Sequence, residues 1–159
     1  MSENQIPLPI SQCNPEATAQ LRLAVVAAQF NETLVAALMA DALKAFSAVQ
    51  IKREQIKILR VPGAHELPFA VSLLCRRDAF DAILALGVVI AGETEHHNVI
   101  VHSVSQALQR IAIDWCTPVI NGVIGTATRS QAQARCSGKQ ARGIMLAHTT
   151  LAMASSKEH

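Results

Sequence analysis

The sequence predicts an α/β fold, with one mostly parallel sheet carrying helices on both faces. Three observations carry this. From residue 21 onward, short apolar runs alternate with stretches of helical period, in the order β-α-β-α-β-α-β-α with one C-terminal addition. The strongest run, residues 79–90 (AFDAILALGVVI), is apolar almost throughout, as a strand covered on both faces must be. Aromatics are scarce, with four Phe, one Trp and no Tyr, so the core has to be built from Ala, Val, Leu and Ile. A length of 159 residues fits one domain, and no repeat or linker divides it.

The elements follow in chain order. Residues 1–20 are polar, hold Pro7, Pro9 and Pro15, and read as an N-terminal arm; 21–159 read as a single domain. Residues 21–28 (LRLAVVAA) form the first strand. Asn31 suits a helix N-cap, and apolar positions 34, 35, 38, 42, 45 and 46 give a helix over 32–49. Residues 55–61 form the second strand, Gly63 supplies a flexible joint, and Pro68 suits the first turn of a helix ending near residue 77. After the third strand a helix runs over 95–115, and a fourth strand covers 118–124. Thr128 or Ser130 caps a short helix ending at residue 135, and residues 141–154 make the last helix.

Composition excludes several classes. Only 16% of residues are charged, which excludes a disordered chain. A net charge of +2, with basic residues spread out, gives no nucleic-acid face. No apolar run reaches membrane-spanning length, and MSENQIPLPISQ lacks the basic and apolar start of a signal peptide. Cys13, Cys75, Cys116 and Cys136 are widely spaced with no CxxC pair, so they read as reduced, buried small hydrophobes of a cytoplasmic protein.

In a parallel α/β fold, sites lie beyond the carboxyl ends of the strands. The unusual side chains gather in four such loops. Gly92-Glu93-Thr94 leaves a buried strand and opens a helix, which suits either a bound anion or a plain N-cap. His96, in the same turn, suits proton transfer or a surface position, and the adjoining anion loop favours the first. Glu93, Glu95, His96, His97 and His102 crowd together, but the histidines lack the i, i+4 spacing of a helical metal pair, so no metal is expected. Glu66 suits a polyhydroxy ligand or a helix N-terminus. Phe30 suits a stacked ring or core packing. Arg135 suits a phosphate or a solvated helix end. No GxGxxG follows the first strand, and GxxxxGK[ST] and GxSxG are absent.

Phe30-Asn31, VPGAHELP at 61–68, LGVVIAGETEHH at 86–97, PVINGV at 118–123 and QAQAR at 131–135 together resemble the 6,7-dimethyl-8-ribityllumazine synthase family. The resemblance runs from about residue 21 to 143. It implies a flavodoxin-like three-layer α/β/α sandwich with a four-stranded parallel sheet. It also implies condensation of 5-amino-6-(D-ribitylamino)uracil with 3,4-dihydroxy-2-butanone 4-phosphate to give the lumazine, phosphate and water. This is the penultimate step of riboflavin biosynthesis and uses no cofactor or metal. The family's sites lie between subunits of a homopentamer, sometimes assembled further. His96 falls on the family's proton-transfer histidine. Gly92, Glu93, Thr94 and Arg135 fall on its phosphate-binding groups, and Phe30-Asn31 on the segment whose aromatic stacks over the pyrimidine. Ala64, His65, Glu66, Val88, Val89 and Ile90 fall on its ring- and ribityl-holding segments, and Asn121 on a residue contributed by the neighbouring subunit.

The sequence departs from the family at several of these positions. His65 and Asn121 stand where aromatics are usual, Ala91 where an Arg is common, and His97-Asn98 where an aromatic and an acid are common. The stretch after Arg135 is shortened, with Arg142 in the place of a lysine. Loss of two ring contacts lowers pyrimidine affinity by about 1–3 kcal/mol on an area basis. The alternative to an active synthase is a non-catalytic or weakly active relative that binds lumazine or flavin or acts in assembly.

Overall fold

A computed structural model describes residues 14–92 and 96–156. Its elements are α1 (Pro15–Thr18), β1 (Leu23–Ala28), α2 (Glu32–Ala48), β2 (Ile56–Val61), α3 (Leu67–Arg77), β3 (Ala82–Ile90), α4 (His97–Trp115), β4 (Val119–Thr126), α5 (Arg129–Cys136) and α6 (Gly143–Ser156). Single 3-10 turns at Arg53–Gln55 and Ala64–Glu66 flank β2. The four strands are all parallel, in the order β2-β1-β3-β4. Every residue of β1 is buried, as expected of a central strand in a doubly covered sheet.

Two hydrophobic layers sandwich the sheet. On one face Leu23, Val25, Leu84 and Leu86 pack with Leu38 and Phe46 of α2 and Leu151 of α6. On the other, Val26, Ile83 and Ala85 pack with Leu67 and Val71 of α3 and Val104 and Leu108 of α4. Gly143 permits the close approach of α6 to α2, since a Cβ there would stand 2.6 Å from Asp41 Cβ and 2.7 Å from the Leu38 carbonyl.

The alternation of elements is as the sequence predicts, and three local expectations change. Asn31 does not cap α2 with its side chain. It adopts the left-handed conformation (φ 55°), and its Nδ2 donates to the Val88 carbonyl at 2.9 Å. Gly63 is extended (φ −147°), a conformation open to any residue. What a side chain would meet there is the Glu66 carboxylate, 3.1 Å from a built Cβ. β3 starts three residues later than expected; just before it the Asp81 N–H donates to the Arg22 carbonyl at 2.8 Å and the Asp81 carboxylate accepts from the Arg22 N–H at 2.7 Å.

Thr128 is the cap of α5. Its hydroxyl accepts from the Gln131 N–H, and the Gln131 carboxamide accepts in return from the Thr128 N–H. Of the segment read as an arm, residues 1–13, including Pro7, Pro9 and Cys13, lie outside the described residues. Residues 15–18 form α1, whose Thr18 is buried and bonds the Val49 carbonyl. Among the other cysteines only Cys136 is buried; Cys75 is half-buried and Cys116 is exposed. Cys116 therefore does not act as a core hydrophobe: it ends α4 in the left-handed conformation.

Candidate active site

The central strands β1 and β3 are neighbours, and the chain leaves them toward opposite faces of the sheet. That arrangement opens a crevice at their carboxyl ends. A cleft of about 280 Å³ lies there, lined by Phe30, Gly63, Ala64, His65, Glu66, Val88, Val89, Ile90 and Ile100. Three loops thus converge: the residues after β1, the turn after β2, and the last residues of β3.

Each side chain is placed by local packing. Gly87 of β3 lets the turn at Ala64–Glu66 lie against the sheet, because a Cβ there would stand 3.3 Å from both Ala64 Cβ and Leu67 Cδ1. Ala64 and Leu67 are buried as anchors of that turn, which leaves His65 and Glu66 exposed at the cleft. Phe30 is 61% exposed, so it is not core packing; its ring lines the cleft. Val88 and Ile90 are buried and Val89 half-buried, giving the floor an apolar character. The cleft thus joins an aromatic and aliphatic surface to two polar side chains, His65 and Glu66. It suits a flat ring carrying a hydrogen-bonding chain. Ile100 was not singled out from sequence; it stands one helical turn beyond His96 on α4, and that spacing is the signal that could have found it.

The remaining candidates are placed as follows. Gly92 has φ +95°, a conformation that favours glycine, and begins the loop after β3. Glu93 and Thr94 lie outside the described residues. The Ala91 N–H, just after β3, donates to the carbonyl of Thr126, the last residue of β4, at 2.8 Å. His96 is exposed at the N-cap of α4. Arg135 is half-buried in the last turn of α5. Neither is among the residues lining the cleft.

Asn121 is also absent from that lining. It sits opposite Ala85 in the sheet, whereas Val88 of the cleft floor sits opposite Ile124. Three residues of strand, about 10 Å, separate the two levels. The Asn121 Oδ1 accepts from the Val123 N–H at 3.0 Å, which leaves its amide N–H groups free of that bond. Among the described residues, no three of His, Cys, Asp and Glu come together as a metal-binding group. No described helix is long and apolar enough to cross a membrane.

Fold and cleft together define a parallel α/β protein with a cleft at the carboxyl edge of its sheet. The comparisons then give the family. The 6,7-dimethyl-8-ribityllumazine synthase family model matches residues 20–158. A protein of that name from Coxiella burnetii is 36% identical over 122 residues, 77% of this chain and 81% of its own length. One from Pyrococcus furiosus is 38% identical over 135 residues, covering 85% and 84%. One from Bordetella petrii is 39% identical over 119 residues, covering 75% and 68%. The chain belongs to the 6,7-dimethyl-8-ribityllumazine synthase family.

Proposed function

We propose that the chain is a transferase of riboflavin biosynthesis. It condenses 5-amino-6-(D-ribitylamino)uracil with 3,4-dihydroxy-2-butanone 4-phosphate, releasing 6,7-dimethyl-8-ribityllumazine, phosphate and water. The family match over residues 20–158 carries this reading, and the cleft suits it.

In this reading the pyrimidine lies on Phe30, over the floor made by Val88, Val89 and Ile90. Asn31, Ala64, His65 and Glu66 hold the ring and the ribityl chain, whose hydroxyls suit the Glu66 carboxylate. Gly92, Glu93, Thr94 and Arg135 take the phosphate, the arginine through charge-assisted bonds. The substrate amine attacks the ketone and loses water to give a Schiff base, phosphate departs by elimination, and the ribitylamino nitrogen closes the ring on the carbonyl so formed with loss of a second water. Each stage moves a proton, which His96 gives or takes. Holding two reactants in one cleft supplies much of the remaining rate.

The site is completed in a homopentamer, with residues 1–20 as an arm and 21–159 as one domain. Its placement in the cytoplasm fits four widely spaced cysteines with no CxxC pair in the sequence. Asn121 lies about 10 Å along the sheet from the level of this chain's own cleft, which suits a role at the site of a neighbouring copy.

The test is lumazine formation from the two purified substrates, followed by absorbance, with His96→Ala beside the wild type. We expect turnover in the wild type and a loss of about 10²-fold or more in the variant. A wild type that binds the pyrimidine but forms no product overturns the synthase reading and leaves a ligand-binding relative.

A further inference from the structure

Arg60, near the end of the edge strand β2, donates from Nε to the Ala27 carbonyl at 3.2 Å. Its Nη2 donates to the Ala28 carbonyl at 3.2 Å and to the Glu32 carboxylate at 2.6 Å. These acceptors bracket Phe30, two before it in the chain and one after. On the opposite flank the pairing of β1 with β3 ends at Ala27 and Leu86, and beyond it the Asn31 amide takes the Val88 carbonyl. The backbone between is tied to β2 by bonds from Gln29 N–H to Val61 and from Phe30 N–H to Pro62. Phe30 itself is 61% exposed, so little packing aims its ring; its backbone does.

Glu32 is 58% exposed, so its ion pair with Arg60 is screened by water. The two carbonyl bonds are the part-buried ones. A planar guanidinium meets several acceptors in one fixed geometry, which a lysine ammonium does not.

We propose that Arg60 is a positioning residue for the Phe30 shelf, fixing the loop after β1 so that the ring is pre-set for the pyrimidine. The inference rests on the synthase reading for the identity of that ring. The test measures binding of 5-amino-6-(D-ribitylamino)uracil by calorimetry, with no phosphosugar present, in the wild type, R60M, R60K, F30A and the R60M/F30A double variant. Thermal midpoints and the KM for the phosphosugar are measured alongside.

We expect R60M to weaken pyrimidine binding about five- to tenfold and R60K to restore less than half of that loss. In the F30A background R60M should add less than about twofold, because the shelf it aims is gone. The phosphosugar KM should move less than about twofold. A lower midpoint with pyrimidine binding unchanged overturns the proposal. So does the same loss with and without Phe30, or an equal loss on both substrates. A wild type that binds the pyrimidine without turnover overturns the synthase reading alone, since the binding comparison still decides on Arg60. A wild type that does not bind the ring overturns both.

Discussion

Burial shifts the titration of two side chains outside the cleft, His148 and Cys136. His148 of α6 is half-buried, with Nδ1 buried and without a hydrogen-bond partner among the described residues. Burial lowers its pKa below the ordinary 6.5, because the charged form loses water. The sign follows from linkage. As pH falls below 6.5 the unfolded chain takes up this proton before the folded chain does, so the folded state loses stability. We expect the urea midpoint to drop across that interval and the drop to be smaller in His148→Met, measured at one pH on each side. Cys136 behaves oppositely: burial pushes its thiol up to about 11, so it stays protonated and unreactive.

The cleft residues were legible because parallel sheets place sites at strand ends. Phe30, His65 and Glu66 follow from locating the strand ends, whereas Val88, Val89 and Ile90 are reached only through the family resemblance. Arg60 was not legible, since an arginine on an edge strand reads as a solvated side chain until its acceptors are known. Asn31 was half legible: an Asn ahead of a helix signals a cap, but the left-handed backbone sends its amide to β3.

At the scale of elements, periodicity located every strand and all but the shortest helix. Boundaries shifted by a few residues, as at β3, which starts at Ala82 rather than at residue 79. The C-terminus of α4 carries a cost that can be removed. Cys116 holds φ 48° at the helix end, a conformation in which a Cβ crowds the backbone and glycine does not. Its thiol makes only a weak contact with the Ile113 carbonyl, at 3.7 Å. We expect Cys116→Gly to stabilise the protein by about 0.5–1 kcal/mol, after allowing for the freer unfolded chain. A urea titration that gave a lower midpoint would show that the strain is not there.

For the molecule as a whole, the two covered faces of the sheet are unequal. The layer of α2 and α6 holds the larger buried cluster. Only Val104 and Leu108 of the long α4 are buried, and Val99, Ile113 and Trp115 are exposed. Large exposed apolar side chains are candidates for cover by a partner, and we expect α4 to contribute to contacts in the proposed pentamer. Ile113 is 65% exposed in the single chain, so Ile113→Glu should leave the fold intact while disrupting assembly. Sedimentation should show the wild type at about five times the 17.0 kDa chain or a multiple of it, and the variant at lower mass. Wild-type sedimentation as a monomer would remove the pentamer from the proposal.

The bond from Asn121 to Val123 bears on how copies of this chain can meet. β4 is an edge strand, and the unpaired N–H groups of such a strand invite another chain to extend the sheet. Here the Val123 N–H is already taken by the side chain two residues before it. An incoming strand would have to break that bond before making its own. That edge is thus blunted at Val123, in the middle of β4, where a side chain of the same strand already holds the outward N–H.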